Sequence, residues 1–374
     1  MLIGVPKEIK NHEYRVGLTP SGVREIVAAG HAVVVQSQAG LAIGFADEHY
    51  LQAGASIAAS AEAVFAAADM IIKVKEPQPV ECRMLRPGQV LFTYLHLAPD
   101  PEQTRLLVES EAIAIAYETV TDERGGLPLL APMSEVAGRM AVQAGAHSLE
   151  KAQGGRGVLL GGVPGVAPAK VVVIGGGVVG LNAARMALGL GADVTLLDKS
   201  LGRLKEIDSI YQGRIKTLMS NAANIEESIR DADMVVGAVL VPGAAAPKLV
   251  SRSMLKNMKT GAVLVDVAID QGGCFESSRA TTHQDPTYIV DGIVHYCVAN
   301  MPGGVARTST MALTNATLPY VLELAGKGWA EALTSNPHLR NGLNVCRGQV
   351  TYAAVARDLG YDYVEPLAAI KAAS

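Results

Sequence analysis

Short runs of Val, Ile and Leu alternate along this chain with stretches in which apolar residues recur every three to four positions. The runs read as strands buried on both faces and the intervening stretches as amphipathic crossover helices, a pattern that predicts parallel sheets. In the first third the predicted strands are Leu2–Val5, Ala32–Gln36, Met70–Lys75, Val90–His96 and Ile113–Glu118, with helices between them. One helix is expected to open at Thr19-Pro20, an N-cap followed by proline at the first helical position, and to end near Gly30. No turn in this part carries a glycine fingerprint.

The middle reads differently. Lys170–Ile174 predicts a strand, Gly175–Gly180 a glycine turn and Leu181–Gly189 a helix, and the next strand, Asp193–Leu197, runs straight into Asp198. Further strands are expected at Ile215–Met219, Met234–Leu240 and Ala262–Ala268, with long helical stretches around 133–153 and 308–333. The tail, amphipathic near 350–359, offers no strands for a third sheet and is expected to pack back on the first domain. The fold class is therefore α/β with two doubly wound domains, the first of them discontinuous.

Composition agrees with this picture and narrows the function. A chain of 374 residues, 49% of them hydrophobic, is too long for one core. A formal charge of −4 gives no electrostatic reason to expect nucleic acid or an anionic membrane, although a local cluster of cations would still take a small anion. Cys82, Cys274, Cys297 and Cys346 are far apart, without a CxxC pair, which points to reduced thiols and to no metal site. Pro6, Lys7 and Glu8 interrupt any apolar leader. The uncharged stretches 171–184 and 234–247 are broken by Gly or Pro and fall short of the roughly 18 residues of a membrane span. The expectation is a soluble, cytoplasmic protein with no membrane partner.

Gly175, Gly177 and Gly180 form GxGxxG directly after an apolar strand and at the opening of a helix, which is the context a dinucleotide fingerprint needs. The first glycine permits the tight turn, the second lets backbone approach a pyrophosphate, and the third lets helix and strand pack closely. Asp198, about 20 residues on, is placed to take the ribose hydroxyls and to repel a 2′-phosphate, so NAD is the expected cofactor; Lys199 and Arg203 nearby weaken that preference slightly. At the strand ends lie four further candidates: Arg15, Lys75, His96 and Asp270. On local sequence alone each has a plain alternative, respectively a solvated surface residue, the polar end of a strand, a hydrogen-bonded structural histidine, and a loop residue or cap.

Longer segments separate these alternatives. RVGLTP at 15–20, KVKEP at 73–77, FTYLH at 92–96, MSEVAGR at 133–139, the stretch 171–180, DVAIDQGG at 266–273, and ANMP at 299–302 leading to RTST at 307–310 together resemble the alanine dehydrogenase family over essentially the whole chain. The resemblance implies oxidative deamination of L-alanine to pyruvate and ammonium with NAD, the reverse reaction, and a homohexamer. It implies a substrate domain of 1–128 plus 307–374 and an inserted Rossmann NAD-binding domain of 129–306. By the same resemblance Arg15 and Lys75 bind the substrate carboxylate and carbonyl region, His96 and Asp270 form the acid–base pair, and Met133 and Asn300 flank substrate and nicotinamide. The implied NAD contacts are Ser134, Gly175, Gly177, Val178, Val179, Gly180, Asp198, Arg203, Ser220, Val239, Leu240, Val267, Ala268, Ile269, Arg279, Val298, Ala299 and Met301. One departure is visible, in the loop 301–306, which has Gly304 and Ala306 where the family pattern has Ala and Pro. The rivals are the NAD(H)-binding component of a transhydrogenase, a non-catalytic NAD sensor, and a lysine- or opine-type dehydrogenase. The joint presence of Arg15, Lys75, His96 and Asp270 argues against the first two.

Overall fold

The computed structural model describes residues 1–239 and 246–373, so Leu240 lies outside the described residues. The chain divides into two compact units, one formed by 1–133 and 306–374 and the other by 134–305. Each is built on one sheet.

Among the described residues, the first sheet has eight strands in the order Gln349–Val350, Leu343–Cys346, Ile113–Ala116, Val90–Thr93, Met70–Ile72, Leu2–Val5, Ala32–Gln36, Ser56–Ala58. The six strands from the N-terminal part run parallel, and Leu343–Cys346 joins antiparallel to Ile113–Ala116. Chain order therefore reverses between Leu2–Val5 and Met70–Ile72, and at such a switch point the two following loops diverge and leave a crevice at the carboxyl ends. One side of this sheet packs Ile71, Leu91, Ala114 and Val345 against Val64, Phe65 and Leu107.

Among the described residues, the second sheet repeats the plan with seven strands in the order Thr287–Val290, Ile293–Tyr296, Val263–Asp266, Met234–Gly237, Lys170–Ile174, Asp193–Asp198, Ile215–Met219. All are parallel except the edge strand Thr287–Val290. Its switch point lies between Lys170–Ile174 and Met234–Gly237. Alternate residues of the inner strands enter opposite cores, as a doubly covered sheet requires. Val171, Val173 and Val236 meet Ala183, Ala184 and Ala187 on one face, while Val172, Ile174 and Val235 meet Ile225, Ile229 and Phe275 on the other. The three alanines on the helix Val178–Gly189 are what let its axis lie close to the strands.

Several predicted boundaries need correction. The strands expected to reach Lys75, His96 and Glu118 stop at Ile72, Thr93 and Ala116. Just past those points Lys73 and Tyr94 still donate to neighbouring backbone, but Val74 donates to Glu8 at 2.7 Å, and His96 to Glu118 at 2.7 Å. The strands expected to end at Leu240 and Ala268 stop at Gly237 and Asp266. The helix expected from Leu181 begins at Val178, its first turn being part of the glycine motif. The helical stretch around 308–333 is two helices, Ala306–Lys327 and Trp329–Ser335, separated by Gly328 at φ 79°. The tail does contain strands, Leu343–Cys346 and Gln349–Val350, which extend the first sheet rather than forming a third. All four cysteines are buried, unpaired thiols, and burial pushes Cys82 and Cys274 up to about 12.

Candidate active site

In the first unit, the loops on either side of the switch point carry Arg15 and Lys75, and the loop after the adjoining strand carries His96. Arg15 is not the solvated residue its local sequence allows, since only 2% of it is exposed. Its Nε donates to Glu13 Oε1 at 2.7 Å and its Nη2 to Glu13 Oε2 at 2.6 Å, a two-point pair with both side chains buried. Burial alone would lower the guanidinium pKa, but the Glu13 hydrogen bonds and charge outweigh it and hold it raised. The Nη1 end lies 3.2 Å from Met133 Sδ, so two of the predicted substrate residues are in contact. The planar fork expected to meet a substrate carboxylate is thus closed on its Nε edge by a protein carboxylate, and Nη1 beside Met133 is the end turned away from Glu13.

Lys75 follows a buried cluster that sequence reasoning did not single out. Lys73, fully buried, bonds Glu8 at 3.1 Å and Glu81 at 2.7 Å. The second oxygen of Glu8 accepts the N–H of Val74 and, at 3.4 Å, that of Lys75. Two carboxylates share one ammonium here, so burial and the like charge of Glu81 push Glu8 up despite the attraction of Lys73, which itself stays protonated. The Lys75 ammonium is 3.9 Å from Glu76, and Thr93 donates to the Lys75 carbonyl at 3.0 Å. His96 sits at φ 48°, its ring parallel to that of buried Tyr94 with centroids 5.8 Å apart, and its side chain is 45% exposed.

In the second unit the glycine motif has the geometry a dinucleotide needs. Gly175 adopts φ 104°, where only glycine is unstrained. A Cβ on Gly180 would stand 1.7 Å from the Gly175 carbonyl oxygen, so no other residue fits there. A Cβ on Gly177 would meet nothing within 4 Å among the described residues, which leaves the space over the turn clear of them. Gly177 caps the helix Val178–Gly189 without a side-chain hydrogen bond, so the first-turn N–H groups of Val178, Val179 and Gly180 meet no capping oxygen from that position. Open space above a glycine turn and a twelve-residue helix N-terminus fits a pyrophosphate. Asp198 ends its strand, accepting from Gly176 N at 2.6 Å and Ser200 N at 2.7 Å, and Arg203 donates to the Gly176 carbonyl at 2.7 Å. Each Asp198 oxygen keeps a lone pair beyond its backbone bond.

The remaining predicted residues flank the same carboxyl edge. Ser220 follows the neighbouring strand and donates its N–H to the Asp198 carbonyl. Val239 follows Met234–Gly237, and its carbonyl is 3.6 Å from Cys274 Sγ. Val267, Ala268, Ile269 and exposed Asp270 form one short helical turn, Val267–Gln271, capped by buried Asp266, which accepts from Ala268 N, Cys274 N and Phe275 N. Val298, Ala299, Asn300 and Met301 lie past the strand Ile293–Tyr296, with Asn300 at φ 61° and its carbonyl 3.0 Å from His283 Nε2. A Cβ on Gly304, the departure from the family pattern, would meet His283 at 2.7 Å, which accounts for the small residue. Ser134 lies half-buried on the helix Ala131–Ser148. Arg279 is the outlier, spread over the Tyr288 ring at 4.1 Å rather than at a strand end. Sequence reasoning missed Glu13, Glu8, Tyr94, Glu118 and Asp266. Only Asp266 had a visible signal, as an acid closing an apolar strand.

The family model for the alanine dehydrogenase/PNT N-terminal domain matches residues 4–137, and that for the C-terminal domain matches 141–353. An alanine dehydrogenase of Halomonas elongata is 65% identical over 98% of this chain and 98% of its own length. One from Bacillus subtilis is 58% identical over 97% of this chain and 96% of its own. A solved L-alanine dehydrogenase structure superposes with a TM-score of 0.94 at 53% identity, covering 96% of this chain and 99% of that one. A transhydrogenase from Sinorhizobium meliloti shares the fold at a TM-score of 0.81 but only 26% identity, covering 95% of this chain and 100% of that one. The glycine turn with its acid-ended second strand, the paired switch points and these full-length similarities have one common source: the chain belongs to the alanine dehydrogenase/PNT family and uses a nicotinamide dinucleotide.

Proposed function

We propose that this chain is an NAD-dependent alanine dehydrogenase, converting L-alanine to pyruvate and ammonium and catalysing the reverse amination. The observation that carries the reading is the combination, at full-length identity of 65% with one such enzyme, of a dinucleotide turn in one unit and a buried arginine with a neighbouring lysine at the switch point of the other. A site for the nicotinamide alone would not need the second cluster. We assign Asp198 to the ribose hydroxyls, which makes NAD the preferred form. We also read the protein as a cytoplasmic homohexamer; among the described residues no helix is long and apolar enough to cross a membrane.

The roles follow from chemistry. Bound nicotinamide supplies the hydride acceptor for deamination and the donor for amination. Arg15, held in a fixed plane by Glu13, offers a planar cation to the substrate carboxylate, and Lys75 adds the charge that the Arg15–Glu13 pair lacks as a unit. The substrate amine must lose a proton before Cα gives up hydride, and His96 takes it, since imidazole exchanges protons near neutral pH. Water then adds to the substrate imine, and the adduct collapses to pyruvate and ammonium. Asp270, exposed on its turn, takes the second acid–base role.

Turnover measured with L-alanine beside glycine, serine, 2-aminobutyrate and lysine, each with NAD and with NADP, tests this. L-alanine with NAD should be the best pair by at least tenfold. Equal rates with NADP would overturn the role of Asp198, and faster turnover of lysine would overturn the substrate.

A further inference from the structure

Glu118 stands outside every role assigned so far. It lies on a short helical turn, Tyr117–Thr119, at the end of the strand adjoining the one that leads to His96. Its side chain is 15% exposed, and its work is concentrated on two residues. Oε1 accepts the His96 N–H at 2.7 Å, and both oxygens accept the Leu95 N–H at 3.2 Å. The same Oε1 is 3.7 Å from His96 Nδ1.

These bonds fall where the backbone needs them. His96 is in the left-handed region, at φ 48°, a conformation that an L-residue with a ring keeps only when its surroundings over-determine it. One carboxylate satisfies the two N–H groups of the bend, while the Leu95 carbonyl is held from outside by Gln103 Nε2 at 2.9 Å. The imidazole is held in turn. Among the described residues the titratable groups set against it are Glu118 at Nδ1 and Tyr94, whose parallel ring is anchored through its hydroxyl to the Leu129 carbonyl at 2.5 Å and feels the charge of Arg15.

We propose that Glu118 is the positioning residue of His96: its carboxylate locks the left-handed bend and sets a negative charge beside Nδ1, which leaves Nε2 as the nitrogen that takes up and returns the substrate proton. This rests on the reading of His96 as the proton carrier. The carboxylate stands 3.7 Å from Nδ1, beyond hydrogen-bond reach, and acts on the ring as a nearby negative charge. A carboxylate that acts on an imidazole through the backbone bend and a nearby charge need never exchange a proton itself.

The test uses the full-length enzyme with Glu118→Gln, His96→Ala and the double variant, assayed for kcat and kcat/KM against pH, NADH affinity and melting temperature. Glu118→Gln keeps the size and an acceptor oxygen but loses the charge. It should lower kcat roughly 10- to 100-fold, less than the 10²–10⁴ of a lost general acid–base, with NADH affinity unchanged. The low-pH limb of kcat/KM for alanine should move to lower pH, which a merely structural role would not produce. On the His96→Ala background the same change should cost less than about threefold, because it acts through the missing ring. If Glu118→Gln fails to fold, Glu118→Asp keeps the charge, and it should lower kcat with the limb in place. Wild-type kcat and an unmoved limb in Glu118→Gln, beside an inactive His96→Ala, overturn the inference alone. An active His96→Ala overturns the proton-carrier reading and the inference with it.

Discussion

Adding one methyl group at each of two glycines in the same turn should separate folding from cofactor binding. At Gly177 the backbone is at φ −67° and ψ −165°, open to any L-residue, and among the described residues the new Cβ meets nothing within 4 Å. Gly177→Ala gains about 0.4–1 kcal/mol from the unfolded chain and loses a comparable amount as a poorer helix cap, so its stability should match wild type within about 1 kcal/mol. The methyl nonetheless stands where the pyrophosphate must approach the backbone. Losing one hydrogen bond from an N–H to a charged oxygen costs about 1.5–3 kcal/mol, which weakens NADH roughly 10- to 150-fold. At Gly180 the Cβ would sit 1.7 Å from the Gly175 carbonyl oxygen, so the helix must move by more than about 1 Å before anything binds. Overpacking of this kind costs about 1–3 kcal/mol or more, several degrees of melting temperature for a unit of this size. NADH fluorescence titration and a thermal melt of both variants give the four numbers needed. Wild-type NADH affinity in Gly177→Ala would refute the placing of the pyrophosphate at this turn, and an unchanged melt in Gly180→Ala would refute the packing argument.

Two further outcomes follow from the first unit. Arg15→Lys keeps a cation but cannot make the two-point pair with Glu13, so kcat/KM for pyruvate should fall roughly 10- to 150-fold while NADH affinity holds; an equal loss of both would indicate misfolding. Glu8 is raised by burial and by Glu81, so the folded state binds its proton more tightly than the unfolded chain does. The stability this brings is complete below the unfolded carboxylate range and is lost as pH rises through the folded value. Glu8→Gln removes that loss, so its melting temperature should improve relative to wild type as pH rises from about 4.5 toward neutral; a difference independent of pH would be the contrary result.

The starts of the predicted strands were legible because alternating burial leaves its mark in apolar runs, and the glycine turn because Gly180 answers to an atom only five residues away. The strand ends were not. Hydropathy reports where side chains go, whereas just past these strand ends N–H groups are claimed by acids from elsewhere, Glu8 for Val74 and Glu118 for His96. The tail strand Leu343–Cys346 was hidden by its brevity and by Asn344, a polar residue that is buried and bonded to Thr119. Arg15, Lys75 and His96 stood out as residue types suited to the chemistry. Glu13 and Glu118 look like any surface acid until the fold sets them against Arg15 and His96.

The antiparallel seam between Ile113–Ala116 and Leu343–Cys346 has a consequence for how the chain is made. The two strands lie some 230 residues apart, so at about 5–20 residues per second the second emerges roughly 10–45 s after the first. During that interval the Ile113–Ala116 edge, buried on both faces in the finished unit, is an open row of backbone donors and acceptors, the usual template for unwanted strand pairing. The second unit is contiguous in sequence and can form while that edge waits, and it also shortens the span that must close, since a folded insert brings its two ends to a fixed separation. The last strands of the chain act as the closing seal on a sheet begun at its second residue.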